Sequence, residues 1–292
     1  MEQTGKGRSV AGNRTNSRRE PGNPSSSTQM KPGEMNAVEL AGRLAYAGRI
    51  GKARLEFVRN YIGVKMKIFQ AMEKVQHQAA RDQKQTMACT GDCHFCCAHY
   101  VGGSLQESEA IVYYLYQNDR ALSRFLMQYP SWRAALQPNE KLFRDTGRAF
   151  EQMMTQGFKK EVADFQHEQS LAYLRQNLFC PFLWESRCLI YPVRPKACAS
   201  LFSFSGPESC DPLSPEEPEQ FAVASGQPDP PYYYGGASHL FLGNIPVMVF
   251  ELLKGGFVYL SSLPSLKNIA QEALEDPKAR QILFQFQHLM KA

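Results

Sequence analysis

The chain has 292 residues, of which 43% are hydrophobic and 21% are charged, and this usage excludes a collagen-like or wholly disordered protein. Lys and Arg outnumber Asp and Glu by 33 to 28, and the resulting net charge of +5 is too small to indicate nucleic-acid binding by itself. The eight cysteines form two groups, at 89–97 and 180–210, a distribution that indicates special chemistry rather than simple packing.

The N-terminal segment, residues 1–36, is rich in Pro, Gly, Ser and Asn and lacks apolar periodicity, which predicts a disordered tail. Its basic residues are dilute, so a solvated tail explains them better than a nucleic-acid-binding arm does. The segment has no apolar run typical of a secretory signal, and the chain has no apolar stretch of about 18 residues. We therefore expect a cytoplasmic protein that does not enter a membrane.

Residues 37–292 are predicted to form one domain, which begins with a long helix. From Val38 to about Lys84, apolar residues recur at steps of three and four, as on one face of a helix. Gly48 indicates a break before the main part of this helix. The same pattern places the charges of Arg54 and Lys65 on the face opposite the apolar stripe.

Two further helical regions follow the first cysteine group. Ser104 and Glu107 have the spacing of a capping box, which predicts that a helix begins there. Pro130 is expected to interrupt this region, because proline lacks the N–H that a helix interior requires. A third region is predicted from Glu140 to about Asn177, with a kink at Gly157.

The second cysteine group lies in a different kind of sequence. Short apolar runs on either side of Glu185–Arg187 predict a small β-hairpin over 179–191. Residues 211–236 contain many prolines and are predicted to form a long loop, and Leu263–Met290 returns to a helical pattern. The predicted fold class is mainly α, with one small β-hairpin and with helices gathered around a cysteine-bound centre.

The first cysteine group combines ligand spacing with a sharp bend. Cys93 and Cys96 have the C-x₂-C spacing that directs two sulfurs toward one metal or cluster, and Gly91 supplies the bend. Cys97 follows directly, and a disulfide between adjacent cysteines is strained. In a reducing compartment these residues, with Cys89, are predicted to be metal ligands or redox groups.

The second group would complete such a centre from a distant part of the chain. Cys180 and Cys188 lie at opposite ends of the predicted hairpin, so their side chains can converge. Cys198 and Cys210 follow at longer spacings. Thiolates are stabilised by nearby positive charge, and three basic residues lie close to this group, namely Arg187, Arg194 and Lys196.

The number of cysteines leaves the identity of the metal open. A structural zinc site needs four tetrahedral ligands, and a [4Fe–4S] cluster needs four thiolates. Eight cysteines exceed either need, so one cluster with spare thiols and two zinc sites both agree with the sequence. The adjacent pair Cys96–Cys97 favours a cluster, because neighbouring sulfurs diverge and the irons of a cluster are farther apart than the positions around one zinc ion.

The two groups together resemble a known family. Cys93-x₂-Cys96-Cys97, then Cys180-Pro-Phe-Leu, Cys188-Leu-Ile-Tyr, Arg194-Pro and Cys198, resemble the CxxCxxCC (YkgJ-type) cysteine-cluster proteins, described as zinc- or iron-chelating domains. The resemblance covers about residues 86–200 and leaves 211–292 as a C-terminal extension. It implies a metal or iron–sulfur centre, and six cysteines match its pattern: Cys93, Cys96, Cys97, Cys180, Cys188 and Cys198.

The chain departs from the family pattern at two positions. The first spacing is C-x₃-C instead of C-x₂-C, so Cys89 is a less secure ligand, and Cys210 lies beyond the matched region. Cys198 is followed by Ala199, where family members commonly carry Arg. The family is also similar to flagellin lysine N-methylases of the FliB type, which have a related cysteine set.

Three functions therefore remain open. The first is an iron–sulfur protein, with [4Fe–4S] favoured, that has a redox or catalytic role on an unknown substrate. The second is a structural zinc protein that binds a partner, and the third is an enzyme similar to protein-lysine N-methylases. A protein or redox partner is expected, whereas nucleic acid is not.

Overall fold

The structure, a computed structural model, describes six stretches of the chain, which are residues 40–89, 93–157, 159–215, 221–223, 229–234 and 241–289. The predicted disordered tail, 1–36, lies outside the described residues. Within them the chain is mainly helical, and its strands form only short antiparallel pairs. The predicted mainly α fold with a small hairpin is therefore confirmed.

Short strands lie singly or in small groups between runs of helices. The α-helices are α1 (Gly48–Gln83), α2 (Leu105–Tyr116), α3 (Asp119–Leu136), α4 (Glu140–Gln156), α5 (Lys160–Leu174), α6 (Lys196–Ser200), α7 (Ile245–Gly255), α8 (Phe257–Ser261), α9 (Ile269–Glu275) and α10 (Pro277–Leu289). The strands are β1 (Gly102–Ser104), β2 (Leu183–Trp184), β3 (Arg187–Cys188), β4 (Leu201–Phe202), β5 (Phe221–Ala222) and β6 (Leu242–Asn244). A helical segment at 40–45 precedes α1.

Helix α1 buries two charges that its sequence pattern assigned to solvent. Arg54 and Lys65 are only 0% and 1% exposed. Arg54 Nη2 lies 2.6 Å from Glu109 Oε2, and Lys65 Nζ lies 3.6 Å from Glu107 Oε1. The prediction was wrong because periodicity assigns charges to water and cannot detect a buried partner far along the chain.

Helix α2 begins as its capping box predicts. Ser104 Oγ accepts a hydrogen bond from the Glu107 N–H at 3.3 Å, and Glu107 Oε2 accepts one from the Ser104 N–H at 3.2 Å. Two orphan N–H groups are thus satisfied at the start of the helix. Glu107 is also the partner of Lys65, so the residue that caps α2 lies at a buried contact with α1.

Two predicted helix breaks differ from the structure. Pro130 is inside α3, not at its end, because the buried side chains of Tyr129 and Trp132 on either side keep the helix packed against the core. Gly157 does not kink one helix. With φ of +77° it ends α4, and α5 then packs back against α4 as a helical hairpin.

The short strand pairs join distant segments. β1 pairs with β6 in the register Gly102↔Asn244, so that α2 and α7 start side by side. β2 pairs with β3, which confirms the predicted hairpin. β5 pairs with β4, and this pair corrects the prediction of a loop throughout 211–236. A two-residue strand is too short to show alternation in a proline-rich sequence.

The main hydrophobic core lies between α2, α3 and α7. Leu105, Ile111, Phe125 and Val249 are each 0% exposed and belong to one cluster of buried side chains. Three cysteines, Cys180, Cys188 and Cys198, pack against the edge of this cluster. The core therefore supports the second cysteine group directly.

No helix in the described ranges combines the length and the apolar character that crossing a membrane requires.

Two glycines of α1 give a matched test of packing. A Cβ at Gly51 would lie 2.5 Å from the Tyr46 carbonyl carbon, whereas a Cβ at Gly63 would meet nothing within 4 Å. Gly51→Ala should lower the free energy of unfolding by about 1–3 kcal/mol, as overpacking does. Gly63→Ala should raise it by about 0.5–1 kcal/mol, because alanine favours a helix interior. Urea unfolding measures both, and equal effects would contradict the close packing of the Tyr46 backbone against Gly51 of α1.

Candidate metal centre

The hairpin β2–β3 holds two cysteines with similar hydrogen bonds. Glu185 and Ser186 form its turn, with φ of 47° and 61°. The N–H of Phe182 donates to Cys180 Sγ, and the N–H of Ile190 donates to Cys188 Sγ. Such bonds to sulfur stabilise a thiolate and are common around metal-bound cysteines. The two hydrogen bonds therefore favour the thiolate forms of Cys180 and Cys188, while burial acts in the opposite direction and raises the pKa of both.

The aromatic residue of this hairpin fixes it to the core. Phe182 is 1% exposed and stacks on Phe125 of α3, with ring centroids 4.3 Å apart. Cys180 and Cys188 are thereby attached to a rigid helix and not to a free loop. This packing explains the apolar run that the sequence shows on both sides of Cys180.

The first cysteine group docks on the same hairpin. Cys96 and Cys97 lie in a 3₁₀ turn over Phe95–Ala98, and the N–H of Cys180 donates to the Cys97 carbonyl at 2.7 Å. A hydrogen bond between the two adjacent side chains lowers the pKa of Cys96 to about 7 and raises the pKa of Cys97. One proton shared by the pair leaves Cys96 as the more acidic thiol of the two.

A short helix, α6, carries Cys198 and is anchored at both ends. Ahead of it, Lys65 Nζ donates to the Val193 carbonyl at 3.0 Å, and Glu107 Oε1 accepts from the Lys196 N–H at 2.6 Å. At its other end, Gln76 Nε2 donates at 3.0 Å to the carbonyl of Ala199. Side chains of α1 and α2 thus determine where Cys198 lies. The sequence pattern did not indicate these roles for Lys65 and Gln76.

The buried carboxylate of Asp229, from a loop later in the chain, also helps to hold the segment that carries Cys198. Asp229 Oδ1 lies 2.7 Å from Lys196 Nζ and accepts from Tyr61 Oη at 2.6 Å, while Asp229 Oδ2 accepts from Ser104 Oγ at 2.5 Å. Burial opposes ionisation, but these partners together hold the pKa of Asp229 below its usual value. The Lys196 charge is therefore engaged by Asp229.

Five thiols lie close enough to affect one another's ionisation, and these are Cys96, Cys97, Cys180, Cys188 and Cys198. Burial raises the pKa of Cys188 to about 11, and burial also raises the pKa of Cys180 and Cys198. Negative charge on Cys96 adds to each of these rises. The group therefore resists ionisation unless a cation is present to compensate for the charge.

Arg194, one of the three predicted basic residues, acts on this group. The positive charge of Arg194 lowers the pKa of both Cys96 and Cys188. Its guanidinium lies 3.9 Å from the Tyr191 ring centroid and 5.3 Å from that of Phe69. Arg187 is on the exposed side of the hairpin, and Lys196 pairs with Asp229.

The remaining thiols form a neighbouring subgroup. Cys89 Sγ accepts from the Ser203 N–H at 3.2 Å, and Cys210 is 6% exposed. Desolvation raises the pKa of Cys89, and nearby Cys96, Cys210 and Cys93 add to the rise. Cys96 thus lies between the two subgroups. The bend predicted at Gly91 falls on residues 90–92, which lie outside the described residues.

All eight cysteines are free thiols. Across the described ranges, no three side chains of Cys, His, Asp or Glu have an arrangement that would coordinate one ion. His94, which flanks the first group, packs against the rings of Phe95 and Phe179. The donor chemistry nevertheless fits a soft or borderline metal, because sulfur is abundant and backbone N–H groups point at it.

Comparisons with protein-family models, with curated proteins and with solved structures give no match to this chain.

Proposed function

We propose that this protein binds an iron–sulfur cluster, with [4Fe–4S] favoured, through ligands drawn from Cys96, Cys97, Cys180, Cys188 and Cys198. The observation that carries the proposal is the gathering of these five thiols, from segments about 80 residues apart, into one electrostatically linked group. Bringing five neutral, partly buried thiols together gains little beyond packing, whereas a cluster would use their shared location.

The residues around the sulfurs suit such a centre. Backbone N–H groups donate to Cys180 and Cys188, and such bonds adjust the potential of a cluster. Arg194 supplies positive charge beside the sulfurs. A bound cluster would supply one-electron chemistry or an open iron position. The free thiols suit a reducing compartment, so we place the protein in the cytoplasm, with a protein or redox partner.

The experiment that tests this proposal is purification without oxygen, followed by analysis of iron, acid-labile sulfide and zinc per chain. Iron and sulfide in equal amounts, with the visible absorption of a cysteine-bound cluster, would support the proposal. About one or two zinc ions per chain without sulfide would support the structural zinc alternative instead. A chain that takes up neither metal would contradict both.

Removal of the metal should destabilise both cysteine segments together. If one centre joins 93–97 to 180–198, its binding free energy is part of the folding free energy. We expect chelation to lower the melting temperature and to increase hydrogen exchange at both segments, and restoring the metal should reverse the change. Unchanged melting and exchange after complete metal removal would show that the segments do not share a centre.

A further inference from the structure

A cavity opens beside the hairpin that carries Cys188. It has a volume of about 470 Å³ and lies between the start of α3 and the β2–β3 turn. Cys188 and Leu189 line it from the hairpin side. A volume of this size accommodates a small organic molecule.

Basic residues are prominent in its lining. Arg120, Arg124 and Arg187 line the cavity, against the two carboxylates of Asp119 and Glu185. The Arg124 guanidinium lies 4.5 Å from the centroid of the Trp184 ring. Stacking on an aromatic ring keeps a guanidinium oriented while its N–H groups remain able to bind an anion. Arg124 forms no ion pair with any carboxylate among the described residues.

The start of α3 adds backbone donors to the same cavity. Asn118, which precedes the helix, donates its side chain to the Tyr114 carbonyl at 2.7 Å and does not cap α3. The first N–H groups of a helix have no partner within the helix. Asp119, Arg120 and Ala121 supply these groups, and all three line the cavity. The Nε1 atom of Trp184 is also buried without a partner among the described residues.

We infer that this cavity binds a small molecule through a carboxylate or phosphate group. Arg124 would bind the oxyanion, with Arg120 and the first turn of α3 as further donors, a combination suited to such groups. Because Cys188 lines the cavity, the bound molecule would lie next to the proposed centre. Its role as a substrate rests on the proposed function, whereas the binding itself does not.

Titration calorimetry of the full chain tests the inference, with inorganic phosphate and succinate as separate probes in a buffer free of oxyanions. We expect saturable binding of at least one probe at one site per chain. Arg124→Gln and Arg120→Gln, both lining the cavity, should each weaken binding by about tenfold or more. Arg144→Gln, an exposed arginine of α4 outside the cavity, should leave the affinity unchanged.

The outcomes separate this inference from the proposed function. Preference for phosphate or for succinate would identify the oxyanion and support the site. No binding of either probe, or equal affinity in wild type and Arg124→Gln, would overturn it. Metal content is measured in the same preparations and tests the proposed function separately. Binding of a probe by a chain without metal would support the oxyanion site but not the cysteine-bound centre. Metal in a chain that binds neither probe would support the centre but not the oxyanion site.

Discussion

Glu109→Gln is expected to lower the free energy of unfolding by about 3–5 kcal/mol, because it leaves the Arg54 charge buried and unpaired. Both side chains are 0% exposed, and Glu109 accepts from Arg54 Nε at 2.8 Å and from Arg54 Nη2 at 2.6 Å. Tyr232 Oη also donates to Glu109 at 2.6 Å. A neutral amide keeps the shape of the site and removes the charge that compensates Arg54. Urea unfolding followed by circular dichroism measures the loss.

A matched ion pair provides the control. Arg133 and Glu140 are 2.7 Å apart, but each side chain is 37% exposed. Glu140→Gln should therefore cost less than about 1 kcal/mol, because water screens the pair. Replacing Arg54 and Glu109 together with Met and Leu should recover much of the loss. Equal costs for Glu109→Gln and Glu140→Gln would refute the assignment of Arg54–Glu109 as a buried pair.

The second large effect concerns metal content. Cys96→Ser and Cys188→Ser each replace a thiolate with a harder and much less acidic ligand, so iron per chain should fall to a small fraction of wild type. Cys96 influences the ionisation of every other thiol of the proposed centre, and Cys188 accepts a backbone N–H bond. Cys210→Ser should retain most of its metal, because Cys210 lies in the neighbouring subgroup with Cys89.

Metal analysis of the three variants, purified without oxygen, compares these expectations directly. Circular dichroism of each variant separates loss of metal from loss of folding. Full occupancy in Cys96→Ser and Cys188→Ser would refute the proposed centre. Loss of metal confined to Cys210→Ser would instead place a site in the Cys89 subgroup.

Local sequence signals predicted the parts of the fold that depend on local interactions. The capping box of Ser104 and Glu107 needs only residues three apart, and the β2–β3 hairpin needs only its own turn. Gly48 marks the start of α1, where its φ is +71°. The continuation of α3 through Pro130 could not be predicted in this way, because packing of distant side chains outweighs the tendency of proline to end a helix.

The candidate site likewise combines residues that local sequence signals predicted with residues that such signals could not predict. The cysteines are visible in the sequence as two dense groups, and the structure brings five of them into one neighbourhood. The residues that position Cys198 gave no signal, because Lys65 and Gln76 resemble ordinary solvent-facing residues of a helix. Their partners lie 128 and 123 residues away. Only the three-dimensional path of α6 across α1 makes these residues part of the site.

The two charged side chains buried on α1, Arg54 and Lys65, bear on how the protein folds during its synthesis. A chain leaves the ribosome from its N-terminus at about 5–20 residues per second, so α1 emerges well before the segments that cover it. Glu109 and Glu107, the acidic partners of Arg54 and Lys65, emerge first, and Val193, which accepts from Lys65, follows several seconds later. During that interval the exposed face of α1 carries charges that water solvates well. Val58, Tyr61, Ile68 and Met72 are buried beside them in the finished fold, so the two charges make this face of the unfinished chain more polar than its apolar residues alone would.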